Sequence, residues 1–250
     1  MIYGLYESAA GMMVNEYRQN VLANNIANAD TVGFKRDVAT FAERLTAAEA
    51  GRRRGTTKEL LESLGGGTWL GRTQTDFSEG RLVRTEEPLD VAIAGPGFLR
   101  IEKDGRQLLT RDGRLMIAPD GRLVAATDGA AVLGRAGQPI LLNPRGGPVE
   151  IDEDGRIRQD GQMVGWLGLV DAGNYQALRK AGAGRYEADP RQLRRSVAKV
   201  IPGFLESSGV EPIGELVAMI EASRAFQFNA QMLTLQDQTA GRLINVVAAG

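Results

Sequence analysis

Residues 211–247 read EPIGELVAMIEASRAFQFNAQMLTLQDQTAGRLINVV and carry the longest helical pattern of the chain. Positions spaced alternately by three and four residues form one stripe. Eight of its ten members are apolar: Leu216, Met219, Ser223, Phe226, Ala230, Leu233, Asp237, Ala240, Ile244 and Val247. This spacing is typical of a heptad-like seam. Pro212 suits a first helical turn, because its missing N–H would have no intrahelical partner. The stretch predicts a helix over about 211–247.

A second stripe of the same kind begins at the N-terminus. Within residues 2–28 the alternating spacing selects eight positions, of which six are apolar: Ile2, Leu5, Ala9, Met12, Glu16, Gln19, Ala23 and Ile26. Asn28 and Gly33 follow, and both residue types tolerate the left-handed backbone that ends a helix. An isolated helix cannot bury its stripe. We therefore expect the terminal helices to pair as a coiled-coil-like domain, to pack against copies of themselves, or both.

Between the two helices the pattern is that of strands. Asp-Gly pairs, which favour tight hairpin turns, occur at 104–105, 112–113, 120–121, 128–129, 154–155 and 160–161. Short apolar runs separate them, which predicts an all-β domain inserted between the helices and hence an α+β chain. The expected domain boundaries are 1–45 for the N-terminal helix and the loop after it, 46–67 for a connector, 68–200 for the β domain and 201–250 for the C-terminal helix.

Composition excludes several classes of function. The chain has 30 Lys and Arg against 31 Asp and Glu, which is not the basic excess of a nucleic-acid-binding protein. It contains no His and no Cys, so His general bases, thiol nucleophiles and the standard zinc sites are unavailable. No apolar run approaches the roughly 20 residues of a membrane helix. We expect no catalytic residue, no cofactor, no metal, no nucleic-acid partner and no membrane insertion.

Charge is unevenly distributed along the chain. Residues 1–50 carry four basic and six acidic groups, and residues 201–250 carry two and five. The remaining residues, 51–200, hold 24 basic and 20 acidic groups and are therefore net positive. The two ends of the chain are thus net negative and its middle is net positive.

One short motif resembles a catalytic one. Ser196-Val197-Ala198-Lys199 has the Ser-x-x-Lys spacing of penicillin-binding proteins, but the companion motifs of that family are missing, and two fixed positions arise easily by chance. The sequence leaves two classes of function open. One is a self-assembling structural protein. The other is a secreted β-domain enzyme or peptidoglycan-binding module whose helices dimerise, and a group of polar side chains converging on one site would favour this second class.

Four segments carry recognisable motifs in a fixed order. They are ANNIANADTVGFKR at 23–36, LDVAIAGPGF at 89–98 with TRDG at 110–113, GFLESSGV at 203–210, and ELVAMI with RAF at 215–226. Together they resemble the flagellar axial family, the rod and hook proteins of the bacterial flagellum. Two positions depart from the family pattern: Ile26 stands where Leu is usual, and Ser208-Gly209 replaces the usual Ser-Asn. The resemblance spans both ends and the middle of the chain.

The resemblance implies a structural part of the flagellum. Members are exported unfolded by the flagellar type III apparatus without a cleaved signal, and they polymerise through their terminal helices into a hollow shaft that spans the periplasm. The implied partners are copies of the chain, other rod proteins and the export apparatus. The length of 250 residues favours the rod over the hook, and its proximal part over its distal part. The expected assembly interface comprises Leu5, Met12, Asn24, Asn25, Asn28, Gly33, Phe34, Leu216, Met219, Phe226 and Leu233.

Overall fold

The computed structural model describes residues 2–43, 45 and 67–248. Two long helices, α1 (Ile2–Ala27) and α2 (Pro212–Ala248), lie at its ends. They confirm the helices predicted at 2–28 and 211–247, and Pro212 is the first residue of α2. Within the described residues, neither helix combines the length and apolarity needed to cross a bilayer. The predicted connector at 46–67 lies outside the described residues, apart from Gly67.

Between the helices, the described residues form short strands, so the chain is α+β. In order they are β1 (Asp37–Val38), β2 (Phe41–Glu43), β3 (Thr68–Leu70), β4 (Gln74–Thr75), β5 (Leu82–Arg84), β6 (Val91–Ala94), β7 (Phe98–Lys103), β8 (Arg106–Thr110), β9 (Leu115–Ile117), β10 (Leu123–Ala125), β11 (Ala131–Val132), β12 (Val149–Ile151), β13 (Arg156–Gln159), β14 (Gln162–Trp166), β15 (Leu169–Asp171), β16 (Arg179–Gly182), β17 (Arg185–Glu187), β18 (Arg194–Arg195), β19 (Lys199–Pro202) and β20 (Phe204–Glu206).

The chain divides into two compact units. The helical unit comprises Met1–Ala27, Asp37–Gln74 and Glu211–Gly250, and the β unit comprises Asn28–Arg36 and Thr75–Val210. In the β unit, a nine-stranded antiparallel sheet has the order β16-β17-β8-β7-β11-β10-β9, and β15 pairs with both β7 and β18. A three-stranded sheet, β12-β13-β14, and the pairs β6–β19 and β5–β20 complete the unit.

The Asp-Gly pairs fulfil the hairpin prediction to different degrees. At 104–105 and 160–161 both residues have positive φ and form the two-residue turns of β7–β8 and β13–β14. At 120–121, 128–129 and 154–155 only the glycine has positive φ. The prediction is wrong at 112–113, where neither residue does. Gly113 is needed there for space, because an added Cβ would lie 1.6 Å from the backbone oxygen of Val91.

The core of the β unit forms around β6 and β7. Val91, Ala92 and Ile93 are buried in succession, as expected for a strand that is covered on both faces. A neighbouring aromatic cluster brings together Phe77, Phe98, Tyr175 and Tyr186, with the Phe77 and Tyr175 ring centroids 5.2 Å apart. The motif at 89–98 therefore supplies residues to both parts of the core.

Candidate assembly surfaces

The helices α1 and α2 contact each other inside the helical unit and run in opposite directions. A Cβ added at Gly4 would lie 2.7 Å from Gln236 Nε2, and one at Gly11 would lie 2.8 Å from Asn229 Nδ2. From Gly4 to Gly11 the chain advances seven residues along α1, while the facing residue on α2 moves back by seven, from Gln236 to Asn229, so the two helices are antiparallel. Small residues at these positions let the two helices approach closely.

The face of α2 that is buried in the helical unit is centred on Glu215 and Ala222. Of the residues predicted for the interface, Leu5, Met12, Met219, Phe226 and Leu233 are half-buried. Leu216, in contrast, is 44% exposed. The predicted stripe is therefore rotated by about one residue at the start of α2, because Glu215 rather than Leu216 points inward.

A second apolar stripe of α2 is exposed, and of its members only Leu216 belongs to the stripe predicted from the sequence. It consists of Ile213, Leu216, Val217, Ile220, Phe228 and Leu235, and the Phe228 side chain is 63% exposed. Arg224 and Gln231 interrupt the stripe at helical spacing. Steps of three and four residues from Ile213 (213, 217, 220, 224, 228, 231, 235) select every member of the stripe except Leu216, and this spacing is the signal that could have found it.

The Asn-rich end of α1 is tied to other parts of the helical unit. Asn25 is fully buried. Its Nδ2 donates to the backbone oxygen of Asp37 at 2.8 Å and to Glu215 Oε2 at 3.1 Å, and its Oδ1 accepts from Asp37 N at 2.9 Å. The side-chain amide donates to two groups of the same chain, so Asn25 is enclosed within the helical unit rather than presented at the expected assembly interface. Asn24 is exposed.

Asn28 and Gly33 shape the loop that follows α1 and belongs to the β unit. Asn28 accepts from Thr31 at both its backbone oxygen (3.1 Å) and its Oδ1 (3.3 Å). Gly33 has φ of 66°, and a Cβ there would lie 2.5 Å from the backbone carbon of Arg111. Glycine is therefore required at this position both for conformation and for space.

The same loop is hydrogen-bonded to the segment that precedes α2. Gly33 N donates to Glu206 O at 2.8 Å, and Gly209 N donates to Phe34 O at 2.9 Å. Phe34 is buried. Gly33 and Phe34 are therefore enclosed within the β unit of a single chain rather than presented on its surface.

A buried ion cluster lies beside this loop, and it was missed in the sequence. The Lys35 Nζ donates to Glu206 Oε1 at 2.5 Å and to the Ser78 backbone oxygen at 2.6 Å. Glu206 also accepts from Gly80 N at 2.7 Å and from Arg111 Nη1 at 3.2 Å. The side chains of Lys35 and Glu206 are each 1% exposed. Burial lowers the pKa of Lys35, and the Glu206 carboxylate opposes that shift.

The cluster joins segments that are far apart in the sequence. Lys35 comes from the motif at 23–36, Arg111 from 110–113 and Glu206 from 203–210. The Arg111 Nη2 donates to the Gly95 backbone oxygen at 2.7 Å, which adds the motif at 89–98. In the sequence Lys35 directly follows the aromatic Phe34, but the neighbours of Arg111 and of Glu206 give no sign that these charged residues are buried.

Asp112, next to the cluster, gives a pH-dependent prediction. Burial opposes its ionisation, but hydrogen bonds from Arg114 and Thr127 outweigh burial and hold the pKa of Asp112 below its ordinary 3.8. A lowered folded pKa contributes stability above the unfolded pKa, and that stability is lost as pH falls through the folded pKa. In urea unfolding we expect Asp112→Asn to lower the free energy of unfolding at pH 7. The difference from wild type should shrink below about pH 4.

Asp154→Asn is the matched control. It also removes an aspartate paired with an arginine, with Asp154 Oδ2 3.5 Å from Arg156 Nη2, but this pair is exposed to solvent. It should leave the free energy of unfolding unchanged at both pH values. A deficit of Asp112→Asn that stayed constant from pH 7 to pH 3 would contradict the prediction.

The Ser-x-x-Lys motif does not form a Ser–Lys pair. Ser196 Oγ donates to the Pro96 backbone oxygen at 2.5 Å, and Lys199 Nζ contacts Glu153 Oε2 at 3.2 Å. The hydroxyl and the amine are each engaged with another group. The arrangement gives no support to a nucleophile with a Lys base.

Family models match three regions of the chain. Residues 5–35 match a model described as flagella basal body rod protein. Residues 92–159 match the flagellar hook protein FlgE/F/G D1 domain, and residues 201–246 match the flagellar basal body rod FlgEFG protein C-terminal. Lys35, Arg111 and Glu206 fall one in each region, so the buried cluster joins all three.

Curated relatives are similar over most of the chain. The flagellar basal-body rod protein FlgG of Buchnera aphidicola subsp. Schizaphis graminum is 30% identical over 97% of this chain and 99% of its own length. FlgF proteins of Caulobacter vibrioides and Rhizobium meliloti are 33% and 36% identical. They cover 94% and 89% of this chain, and 93% and 88% of their own lengths.

Proposed function

Because the chain belongs to the flagellar basal-body rod protein family, we propose that it is a subunit of the rod that polymerises through its terminal helices into the hollow axial shaft. The family is structural and not enzymatic, and rod proteins assemble with themselves and with other flagellar components. The protein is accordingly located in the flagellar basal body.

The exposed stripe of α2 is the observation that carries this proposal. A helix that is apolar on two sides has to be covered on both, and contiguous exposed apolar surface marks an interaction site. In one chain, the side with Ala222 is buried. The stripe from Ile213 to Leu235 is left for a neighbouring subunit, and Tyr6 and Met13 of α1 add exposed apolar surface.

The finer architecture is part of the same proposal. The seven-residue correspondence between α1 and α2 supports a coiled-coil-like core domain with a β domain inserted between its halves. The bounds expected from the sequence, 1–45 with 201–250 and 68–200, shift accordingly, because Asn28–Arg36 and the residues up to Val210 belong to the compact β unit, which begins again at Thr75. Leu5, Met12, Met219, Phe226 and Leu233 would hold the helix pair together, and Leu216 and Asn24 would face neighbours. Asn25, Asn28, Gly33 and Phe34 would act indirectly by fixing the loop after α1.

The proposal also covers export and location. The chain is exported in an unfolded state without a cleaved signal, and the rod it forms spans the periplasm. The sequence has no Cys, so no disulfide has to be broken or re-formed when the chain unfolds and refolds. The length of 250 residues without a long insertion favours the proximal rod. The distal rod is the alternative, because relatives named FlgG and FlgF both match.

Immunogold labelling of purified basal bodies tests the assignment. Antibodies against the β unit are expected to label the rod at its proximal end. Label at the distal end would favour the alternative within the family, whereas label confined to the rings or to the export apparatus would contradict a rod subunit.

A further inference from the structure

The antiparallel helix pair of the helical unit has two outer sides, one on each helix. Three pairs of facing residues define how α1 lies against α2: Gly4 with Gln236, Gly11 with Asn229, and Asn25 with Glu215. A residue two positions before or after a facing residue is turned by about 200° around a helix of 3.6 residues per turn. Such residues point away from the partner helix, so they form the outer sides of the pair.

The outer side of α1 carries two large apolar side chains. Tyr6 and Met13 each follow a facing glycine by two residues. Both side chains are exposed, and that of Tyr6 is exposed by 73%. The outer positions further along α1 hold Glu16, Asn20 and Ala23, which are exposed as well. From Tyr6 onward, the large apolar side chains of this side therefore end at Met13.

The outer side of α2 is apolar at its start. Ile213 and Val217 lie two residues before and after the facing Glu215. Ile220 lies two residues before Ala222, which is fully buried on the inner side. The three side chains are exposed, that of Ile213 by 80%. The outer positions that follow are polar, namely Arg224, Gln227, Gln231 and Thr234.

The apolar parts of the two outer sides lie at opposite ends of the helix pair. Because the helices are antiparallel, Tyr6 is level with Thr234, and Ile220 is level with Asn20. A second copy stacked on the pair without a shift would therefore place apolar side chains of each helix against polar side chains of the other. Polar groups buried in this way would lack hydrogen-bond partners, which is unfavourable.

We propose that the start of α2 packs against α1 of a second copy that is shifted along the helices by two heptads, about 21 Å. This shift places apolar side chains against apolar side chains. The two large apolar residues of α1 are seven positions apart, and so are the two isoleucines of α2, so both ends of the contact can close at once. The facing pairs between the copies are Tyr6 with Ile220, Ala9 with Val217, and Met13 with Ile213.

The shifted contact joins two different surfaces, so each copy offers α1 to one neighbour and α2 to another. A contact of this heterologous kind continues from copy to copy, whereas a contact between like surfaces closes at a dimer. The inference rests on the proposed function, since it names what covers the start of the exposed α2 stripe in the rod. Phe228 and Leu235 lie one position before facing residues, at the side of α2, and are left for a different neighbour.

Disulfide crosslinking in the assembled rod tests the contact. The chain has no Cys, so Tyr6→Cys with Ile220→Cys introduces its only two thiols. They lie on opposite outer sides of the helix pair, too far apart for a disulfide within one copy. The variant is the only copy in the bacterium that encodes the chain, and purified basal bodies are oxidised with copper phenanthroline. We expect crosslinked products of two, three and more copies.

A matched pair of cysteines controls for the shift. Tyr6→Cys with Thr234→Cys pairs positions that would face each other only in an unshifted stack. Its crosslink yield should be about tenfold lower, because Cα atoms more than about 7 Å apart cannot be bridged. Met13→Cys with Ile213→Cys lies one heptad away in the same contact and should crosslink as well as the first pair. Each single-cysteine variant should stay monomeric.

Three results would overturn the shifted contact while the chain is still present in rods. They are the absence of crosslinked products from both shifted pairs, an equal yield for the control with Thr234→Cys, and a dimer formed by a single-cysteine variant, which would indicate contact between like surfaces. Absence of the wild-type chain from purified basal bodies would overturn the proposed function itself, and the shifted contact with it.

Discussion

Glu206→Gln is expected to lower the free energy of unfolding of the β unit by about 3–5 kcal/mol, because removing one partner of a buried ion pair leaves an uncompensated charge. In this chain the change would leave two buried cations, Lys35 and Arg111, without their shared carboxylate. Gln preserves the size of the side chain, so the loss isolates the effect of charge. Urea unfolding measures it, followed by the fluorescence of Trp166 in a chain whose other tryptophan, Trp69, is replaced by Phe.

The pH dependence of the free energy of unfolding of Glu206→Gln shows whether the uncompensated Lys35 ammonium causes the loss. The pKa of Lys35 is lowered from 10.5, chiefly by burial, so the unfolded chain binds more protons than the folded chain between the folded pKa and 10.5. Stability then rises with pH over that window. Without the Glu206 carboxylate, which raises the pKa of Lys35, this recovery should begin at a lower pH than in wild type.

Two further variants control the measurement. Glu153→Gln breaks an exposed pair with Lys199 and should cost at most about 1 kcal/mol. Adding Lys35→Met to Glu206→Gln should restore part of the lost stability, because one uncompensated cation is removed. Equal losses for Glu206→Gln and Glu153→Gln would show that the buried cluster does not hold the loop in place.

Phe228→Asp is expected to abolish assembly while leaving the single chain folded. Phe228 is 63% exposed on the second stripe of α2, so a carboxylate there stays hydrated in the monomer. A neighbouring subunit would have to bury that charge unpaired, which costs several kcal/mol. Cells carrying this variant as their only copy should lack rods and fail to swim. The purified chain should keep the helical circular dichroism and urea midpoint of wild type.

Leu233→Asp is the matched variant on the other side of the helix. Leu233 is half-buried, on the same side of α2 as Ala222, so Asp there should weaken the α1–α2 pair itself. Helical signal and urea midpoint should both fall, in addition to the loss of rods. Normal swimming with Phe228→Asp, or identical unfolding behaviour of the two variants, would contradict the assignment of the two faces.

The helices and many turns could be predicted from the sequence because their signals are local. A periodic run of 37 residues that starts at Pro212 defines α2. Asp104-Gly105 and Asp160-Gly161 define their hairpins through positive φ alone. The hairpin prediction is wrong at Asp112-Gly113 because the glycine is needed there for space: the backbone oxygen of Val91, distant in the sequence, lies where a Cβ would be.

The site could not be predicted because its contacts are not local. Lys35 and Glu206 are 171 residues apart, and Asn25 and Glu215 are 190 apart. Each of these residues, taken alone, has the sequence character of a surface group. The orientation of α2 was also undetermined, because the helix is apolar on two sides and periodicity alone does not decide which side packs on α1.

Cryo-electron microscopy of basal bodies purified from the bacterium that encodes this chain most directly tests assembly through the terminal helices. We expect rod density that fits the α1–α2 pair, with the stripe from Ile213 to Leu235 packed against a neighbouring subunit. Rod density in which that stripe faces solvent, or a rod that does not contain the chain, would contradict it.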